Sequence, residues 1–159
     1  LKGLASTDDL VDTDFIDWGH EEYFKTEIGV GECAGVTIDL VATLLLESEE
    51  RIASATEALE AEAYADSIYH TYSSLVNTAK ALLVSEGLKT NTQAMIIKDF
   101  DEKYPNKAHF KLEKSFQETT YAINENEPTK DFALSYLAFA KEFVKDAFVL
   151  REQKDEQAN

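Results

Sequence analysis

The chain has 159 residues, 44% hydrophobic and 29% charged, with a formal net charge of −16 and a single cysteine. A domain of this length hides roughly 70% of its unfolded surface, so one domain with a genuine core is expected, and one cysteine excludes an intramolecular disulfide and points to a reducing, cytoplasmic setting. No apolar run approaches the roughly 20 residues that cross a bilayer, and a polyanionic surface speaks against broad nucleic-acid binding or an anionic membrane face.

The charge is concentrated at one end. Residues 1–35 hold nine acids against two lysines and residues 36–62 hold seven against one arginine, so −13 of the −16 lies in the first 62 residues. Local basic spots remain at Lys103, Lys107, Lys111 and Lys114. Residues 1–14 carry few large apolar side chains and read as an acidic arm. The start at Leu1, without a basic-then-apolar leader pattern, reads as a cut inside a longer chain. Over residues 22–30, Phe24, Thr26, Ile28 and Val30 alternate with Tyr23, Lys25, Glu27 and Gly29, the period of a short strand or extended segment. Gly29, Gly31 and Gly35 then suggest a turning backbone, so residues 1–36 are read as an arm followed by an extended, glycine-containing seam.

Helical periodicity begins after that seam. A first helix is expected to be capped by Thr37 or Asp39, with Val41, Leu45, Ser48, Ile52, Ala55 and Leu59 forming its buried stripe and Glu47, Glu50, Glu57 and Glu60 its solvated face. A second, over residues 65–86, buries Ile68, Tyr72, Leu75, Val76, Ala79, Leu82 and Leu83 and stops at Gly87. A third, shorter helix is capped by Thr90, Asn91 or Thr92 and ends before Pro105, and a further helical stretch covers 108–123. After the break at 124–131, Phe132, Tyr136, Ala140, Phe143, Val144, Ala147 and Phe148 outline a long last helix, with fraying expected over 152–159. Three long amphipathic helices and a segmented one define an all-α, up-and-down four-helix bundle over residues 37–151.

No catalytic constellation stands out. A ferritin-like metal site needs Glu-x-x-His pairs, and none of His20, His70 and His109 has a glutamate three residues before it. "HEEYF" places Phe24 where a zinc-binding HExxH needs histidine. Cys33 alone cannot hold an iron–sulfur cluster and reads as a buried small hydrophobe; "GVGECAG" lacks the ending of a phosphate loop. No metal or cofactor is therefore expected in this segment. On the second helix, His70, Ser74 and Asn77 recur at helical spacing, flanked by Tyr69 and Lys80. This polar stripe either lines a small pocket for a polar ligand or forms an exposed face.

"YADSIYHTYSSLVNTAKALLVSEG", residues 64–87, resembles the second helix of HEPN-type four-helix bundles, and "EERIASATEALEAEAYAD" and "FALSYLAFAKEFVKDAFVL" resemble the first and last helices. The resemblance spans roughly residues 40–150 and implies a HEPN-like bundle, a possible homodimer and, in many members, an RNase with an Arg-x4-6-His motif. Here Arg51 and Arg151 are the only arginines and neither is followed by histidine at that spacing, while Thr90-Asn91 stands where many relatives carry Thr-His. That leaves the non-catalytic branch, whose members bind nucleotides or partner proteins. "DWGHEEYFKTEIGVGECAG", residues 17–35, is similar to the closing segment of bacterial nitrite/sulfite reductase-like proteins that carry a HEPN-like bundle at the C-terminus. The implied partner is an upstream reductase-like domain, a siroheme-type oxidoreductase whose cofactors lie outside these residues. The implied role here is non-enzymatic: interaction, assembly or small-ligand binding, with nucleotide as one ligand class. Alternatives are an atypical HEPN nuclease or nucleotide-handling enzyme, and a free-standing partner of a nucleotidyltransferase.

Overall fold

The computed structural model describes the backbone of residues 30–105, 110 and 112–158, and the side chains of 39–105, 110 and 112–153. Backbone contacts divide the chain into residues 1–37 and 38–159. Among the described residues there are six helices, in order: α1 (Val30–Glu60), α2 (Tyr64–Ser85), α3 (Gln93–Lys103), α4 (Phe116–Thr120), α5 (Ala122–Glu125) and α6 (Lys130–Ala158). The expected all-helical architecture is observed, and there is no strand among the described residues.

Two helix ends differ from the sequence expectation. α1 already begins at Val30, so Thr37 and Asp39 lie inside it rather than capping it. Gly31 and Gly35 each cost about 1 kcal/mol relative to alanine in a helix. Once a long helix is nucleated, however, each further residue adds a hydrogen bond, and propagation carries through them. Of the expected strand, residues 22–29 lie outside the described residues and Val30 is helical. At the other end α6 continues to Ala158, covering most of the segment where fraying was expected.

The α1–α2 turn and the end of α2 use the same device. After α2, Gly87 at φ +82 lets its amide reach Val84 O at 2.9 Å while the Leu88 amide reaches Leu83 O at 3.0 Å, the paired bonds of a Schellman cap. After α1, Glu62 at φ +62 makes the corresponding bond to Leu59 O at 3.0 Å, and the Ala63 amide reaches Ala58 O at 2.8 Å. α3 opens on Thr92, whose hydroxyl accepts from the Met95 amide at 3.2 Å, and ends one residue before Tyr104-Pro105.

The stretch expected to run unbroken over 108–123 is divided. Residues 106–109 and 111 lie outside the described residues, and α4 starts only at Phe116. Its amides are held by two sources. Ser115 and Glu118 form a capping box, and the Asp101 carboxylate of α3 accepts from the Phe116 amide at 2.7 Å and the Gln117 amide at 3.0 Å. Three free donors of a five-residue helix are thereby satisfied, which pins α4 to α3.

α2 is the central helix, packing on α6 and α3 and touching α4 and α5. The predicted stripes face inward: Val41, Leu45, Ser48 and Ala55 of α1, Ile68, Leu75, Val76, Ala79, Leu82 and Leu83 of α2, and Tyr136, Ala140, Phe143, Val144 and Ala147 of α6 are buried, while Tyr72 and Phe148 are partly so. At one place the core is aromatic. Phe100, Phe110, Phe116 and Phe143 are all within 1% of complete burial, with Phe100 and Phe116 ring centroids 4.5 Å apart.

Candidate functional site

Two serine hydroxyls of α2 bond directly to the backbone of α1. Ser67 Oγ donates to Ala55 O at 2.8 Å and Ser74 Oγ donates to Ser48 O at 2.9 Å. Seven residues forward on α2 thus correspond to seven residues back on α1, so the helices are antiparallel. A seven-residue step keeps a position on one face. Ser48, Ala55, Ser67 and Ser74 therefore form a seam where the two backbones approach to within a side-chain oxygen of each other. Thr71 and Thr78 donate to the carbonyls four residues back at 2.9 and 2.8 Å, so these buried hydroxyls are satisfied.

Beside that seam the next polar positions open into a cleft of about 400 Å³ lined by Glu47, Glu50, Arg51 and Ser54 of α1 and Asn77 of α2. Arg51 Nη1 lies 3.0 Å from His70 Nδ1. A guanidinium can only donate, so Nδ1 accepts and the imidazole proton sits on Nε2. Among the described residues Arg51 makes no ion pair within 4.0 Å, although two carboxylates share its cleft. A part-buried cation is thus hydrogen-bonded to a ring nitrogen across the helix hairpin.

The five residues singled out on α2 are therefore sorted by the structure. Asn77 lines the cleft, and His70 is hydrogen-bonded to the arginine that lines it. Ser74 is a correction: it is fully buried and its hydroxyl is committed to the Ser48 carbonyl, so it holds the helices together and does not face a pocket. Tyr69 is exposed, its ring edge-on to His70 at 6.1 Å. Lys80 is half-buried and lies outside the cleft lining. The residues that sequence reasoning missed are Glu47, Glu50, Arg51 and Ser54. Their signal was present as a second polar stripe at three-, four- and seven-residue steps on α1, but Glu47 and Glu50 were read as part of a solvated face, Arg51 was weighed only against a motif along the chain, and Ser54 was not singled out.

Nearby tyrosines are shifted by packing. Burial, then Tyr121 and Tyr69, raises the Tyr72 phenol above its ordinary value, and its hydroxyl donates to Gln93 Oε1 at 3.2 Å. Tyr136 is raised further, by burial first and Tyr72 second, and its hydroxyl donates to Thr120 O at 3.0 Å. Among the described residues no group of three or more His, Cys, Asp or Glu is arranged to hold a metal, and no helix is long and apolar enough to cross a membrane. His20 and His109, and the Cys33 side chain, lie outside the described residues.

An antiparallel helical bundle with a polar cleft beside its first hairpin defines the class of domain. The HEPN domain family matches residues 41–149, well over half of the chain, and the protein belongs to that family. Comparison with curated proteins and with solved structures found no match.

Proposed function

We propose that this HEPN domain is a non-catalytic accessory module that binds a small polar ligand in the α1/α2 cleft. The observation that carries the reading is Arg51, a cation in contact with His70 and, among the described residues, without a carboxylate within 4.0 Å, set in a cleft that Asn77 and Ser54 supply with further hydrogen-bonding groups. A pocket of a few hundred Å³ with a few convergent polar groups suits a small molecule. The similarity of residues 17–35 to the closing segment of nitrite/sulfite reductase-like proteins supports a place at the C-terminus of such an oxidoreductase, with the redox cofactors held by the upstream body.

The Arg51–His70 contact also supports a second reading, an atypical nuclease in which the arginine and histidine meet in space rather than at the family's spacing along the chain. Glu47 and Glu50 in the same cleft, on a chain of −16, oppose the approach of a phosphate backbone, which favours the binding module. A thermal-shift screen against nucleotides, with RNA cleavage measured in the same plates, separates the two. A ligand at a hundred times its Kd stabilises the native state by about 2.7 kcal/mol, and Arg51→Ala is expected to abolish that shift without unfolding the domain. Cleavage that disappears in His70→Ala would replace the first reading with the second. Silence in both assays would sink the cleft as a ligand site.

A further inference from the structure

A second concavity lies between α1 and α6, on the side of α1 away from the polar cleft. It measures about 380 Å³ and is lined by Glu49, Ile52 and Ala53 of α1 and by Lys141, Val144, Lys145 and Phe148 of α6. Its floor is apolar: Ile52 and Phe148 are partly buried hydrophobics packed against the core, and Val144 is buried. The apolar surface continues outward along both helices. Leu46, 57% exposed, shares a face with Ala53 at a seven-residue step, and Leu134, 45% exposed, shares a face with Lys141 in the same way.

The rims differ in charge. Lys141 and Lys145 stand one helical turn apart on α6, a like-charge spacing that is mildly unfavourable in an isolated helix. Among the described residues neither forms an ion pair within 4.0 Å. Glu49 stands on the α1 side. The groove is thus locally positive on a chain of net charge −16, with one acid placed opposite two bases.

We propose that this groove is a docking site for an amphipathic helix of a partner protein that carries acids along one flank and a base on the other. Its aliphatic or aromatic residues at i, i+3/i+4 and i+7 cover Ile52, Val144 and Phe148 in the helix-in-groove mode. Its acids meet Lys141 and Lys145, and its base meets Glu49. The asymmetric rim fixes which way the helix lies. Polar rims of this kind set specificity and register while the apolar floor supplies most of the affinity. A uniformly acidic helix is repelled by the rest of the surface and a uniformly basic one by the two lysines, so the mixed flanks are what the site selects.

The test uses the full chain and two fluorescein-labelled 16-residue helical peptides read by anisotropy. Both carry leucines at i, i+3, i+7 and i+10; one has glutamates and lysines on the flanks just described, and the other has the flanks exchanged. The first is expected to bind at least about tenfold more tightly than the second. Ala53→Arg, a change at an exposed position that fills the groove, is expected to remove binding while leaving the melting temperature within a few degrees. The double variant Lys141→Glu/Lys145→Glu is expected to lose the preference between the peptides. Equal binding of the two peptides, insensitivity to Ala53→Arg, or no binding up to about 1 mM peptide, an affinity weaker than about 4 kcal/mol, would each overturn the proposal. Laurate is run as a separate probe; binding of laurate that Ala53→Arg blocks, with neither peptide competing, would make the groove an acyl-chain site instead.

Discussion

The bundle is closed in two chemically opposite ways, and the contrast explains where its candidate site lies. Around Phe100, four phenylalanines from α3, α6 and the segment ending in α4 fill a wide gap, with Phe100 centroids 5.4 Å from Phe110 and 5.6 Å from Phe143. Along the α1/α2 seam, Ser48, Ala55, Ser67 and Ser74 leave almost no gap to fill, and hydroxyls bond directly to the opposing backbone. Bulky residues hold helices apart over a dry core. Small ones let helices approach, so the polar residues flanking the seam, among them Arg51, His70 and Asn77, are drawn together at its edge. The cleft is therefore a by-product of close packing.

If the aromatic region supplies most of the burial energy, its disruption should be the largest single effect in the molecule. Phe100→Ala removes a fully buried ring that touches Tyr104, Phe110, Phe116 and Phe143. A loss of about 3–5 kcal/mol is expected in urea unfolding followed by circular dichroism. A loss below about 1 kcal/mol, the ordinary size of a surface or minor-contact change, would show that the cluster is loosely packed and undo the comparison.

The seam should respond to size more than to polarity. Ser74→Leu inserts bulk between backbones already bridged at 2.9 Å and is expected to destabilise by about 1–3 kcal/mol. Ser74→Ala removes only the hydroxyl and leaves the Ser48 carbonyl without that donor, for about 1 kcal/mol. If the two variants unfold at the same urea concentration, helix approach is not what limits this contact. Ser74→Leu should also widen the cleft and loosen the Arg51–His70 contact, visible as changed His70 ring resonances by NMR.

How much of this the sequence carried follows the distance over which each feature is set. Apolar stripes are local, so the spacing of Val41, Leu45, Ile68, Leu75, Phe143 and Ala147 located the buried faces of all three long helices. Gly87 was likewise legible, and the cap of α3 was narrowed to Thr90, Asn91 or Thr92, because a cap is decided within four residues. At the start of α4 the local signal, the Ser115–Glu118 capping box, was passed over, and the rest was not legible because the Phe116 and Gln117 amides are held by Asp101, fifteen and sixteen residues away. Ser74 was misread for the same reason: a hydroxyl on a helix does not announce that its acceptor is a carbonyl twenty-six residues earlier. Arg51 was weighed only against a motif along the chain, whereas its histidine partner lies across the hairpin, nineteen residues on.

Alkaline pH offers a way to weigh a third contribution, the phenols of tyrosines whose rings are wholly or partly buried. Tyr136, Tyr72 and Tyr104 all have raised pKa values, with burial the first cause in each. The folded state thus holds these protons more tightly than the unfolded chain, whose tyrosines titrate near 10. Their contribution is complete below about pH 10 and is lost as pH rises above it, because the unfolded chain is then stabilised by ionisation. Stability measured from pH 8 to 11 should be flat and then fall. Tyr136→Phe should be less stable at pH 8, having lost the bond to Thr120 O, but show a shallower alkaline fall. An equal slope in the two proteins would mean that Tyr136 does not carry the dependence.

The smallest expected effect compares the two Schellman caps, which have the same hydrogen bonds but different residues at the left-handed position. Gly87 sits at φ +82 with no neighbouring atom within 4 Å of where a Cβ would stand, so only backbone preference resists a side chain there. Glu62 occupies φ +62 with a side chain, in a region that costs an L-residue about 1–2 kcal/mol. Glu62→Gly relieves that strain but gives the unfolded chain more freedom, so a net gain of about 0.5–1 kcal/mol is expected. Gly87→Ala, the reverse change at the matching position, should lose a similar amount. The charge change complicates the first substitution, since it also removes one acid from the most negative part of the chain. Glu62→Gln isolates that contribution: a gain in Glu62→Gly that Glu62→Gln reproduces would be electrostatic, and the two caps would then differ in charge rather than in backbone strain.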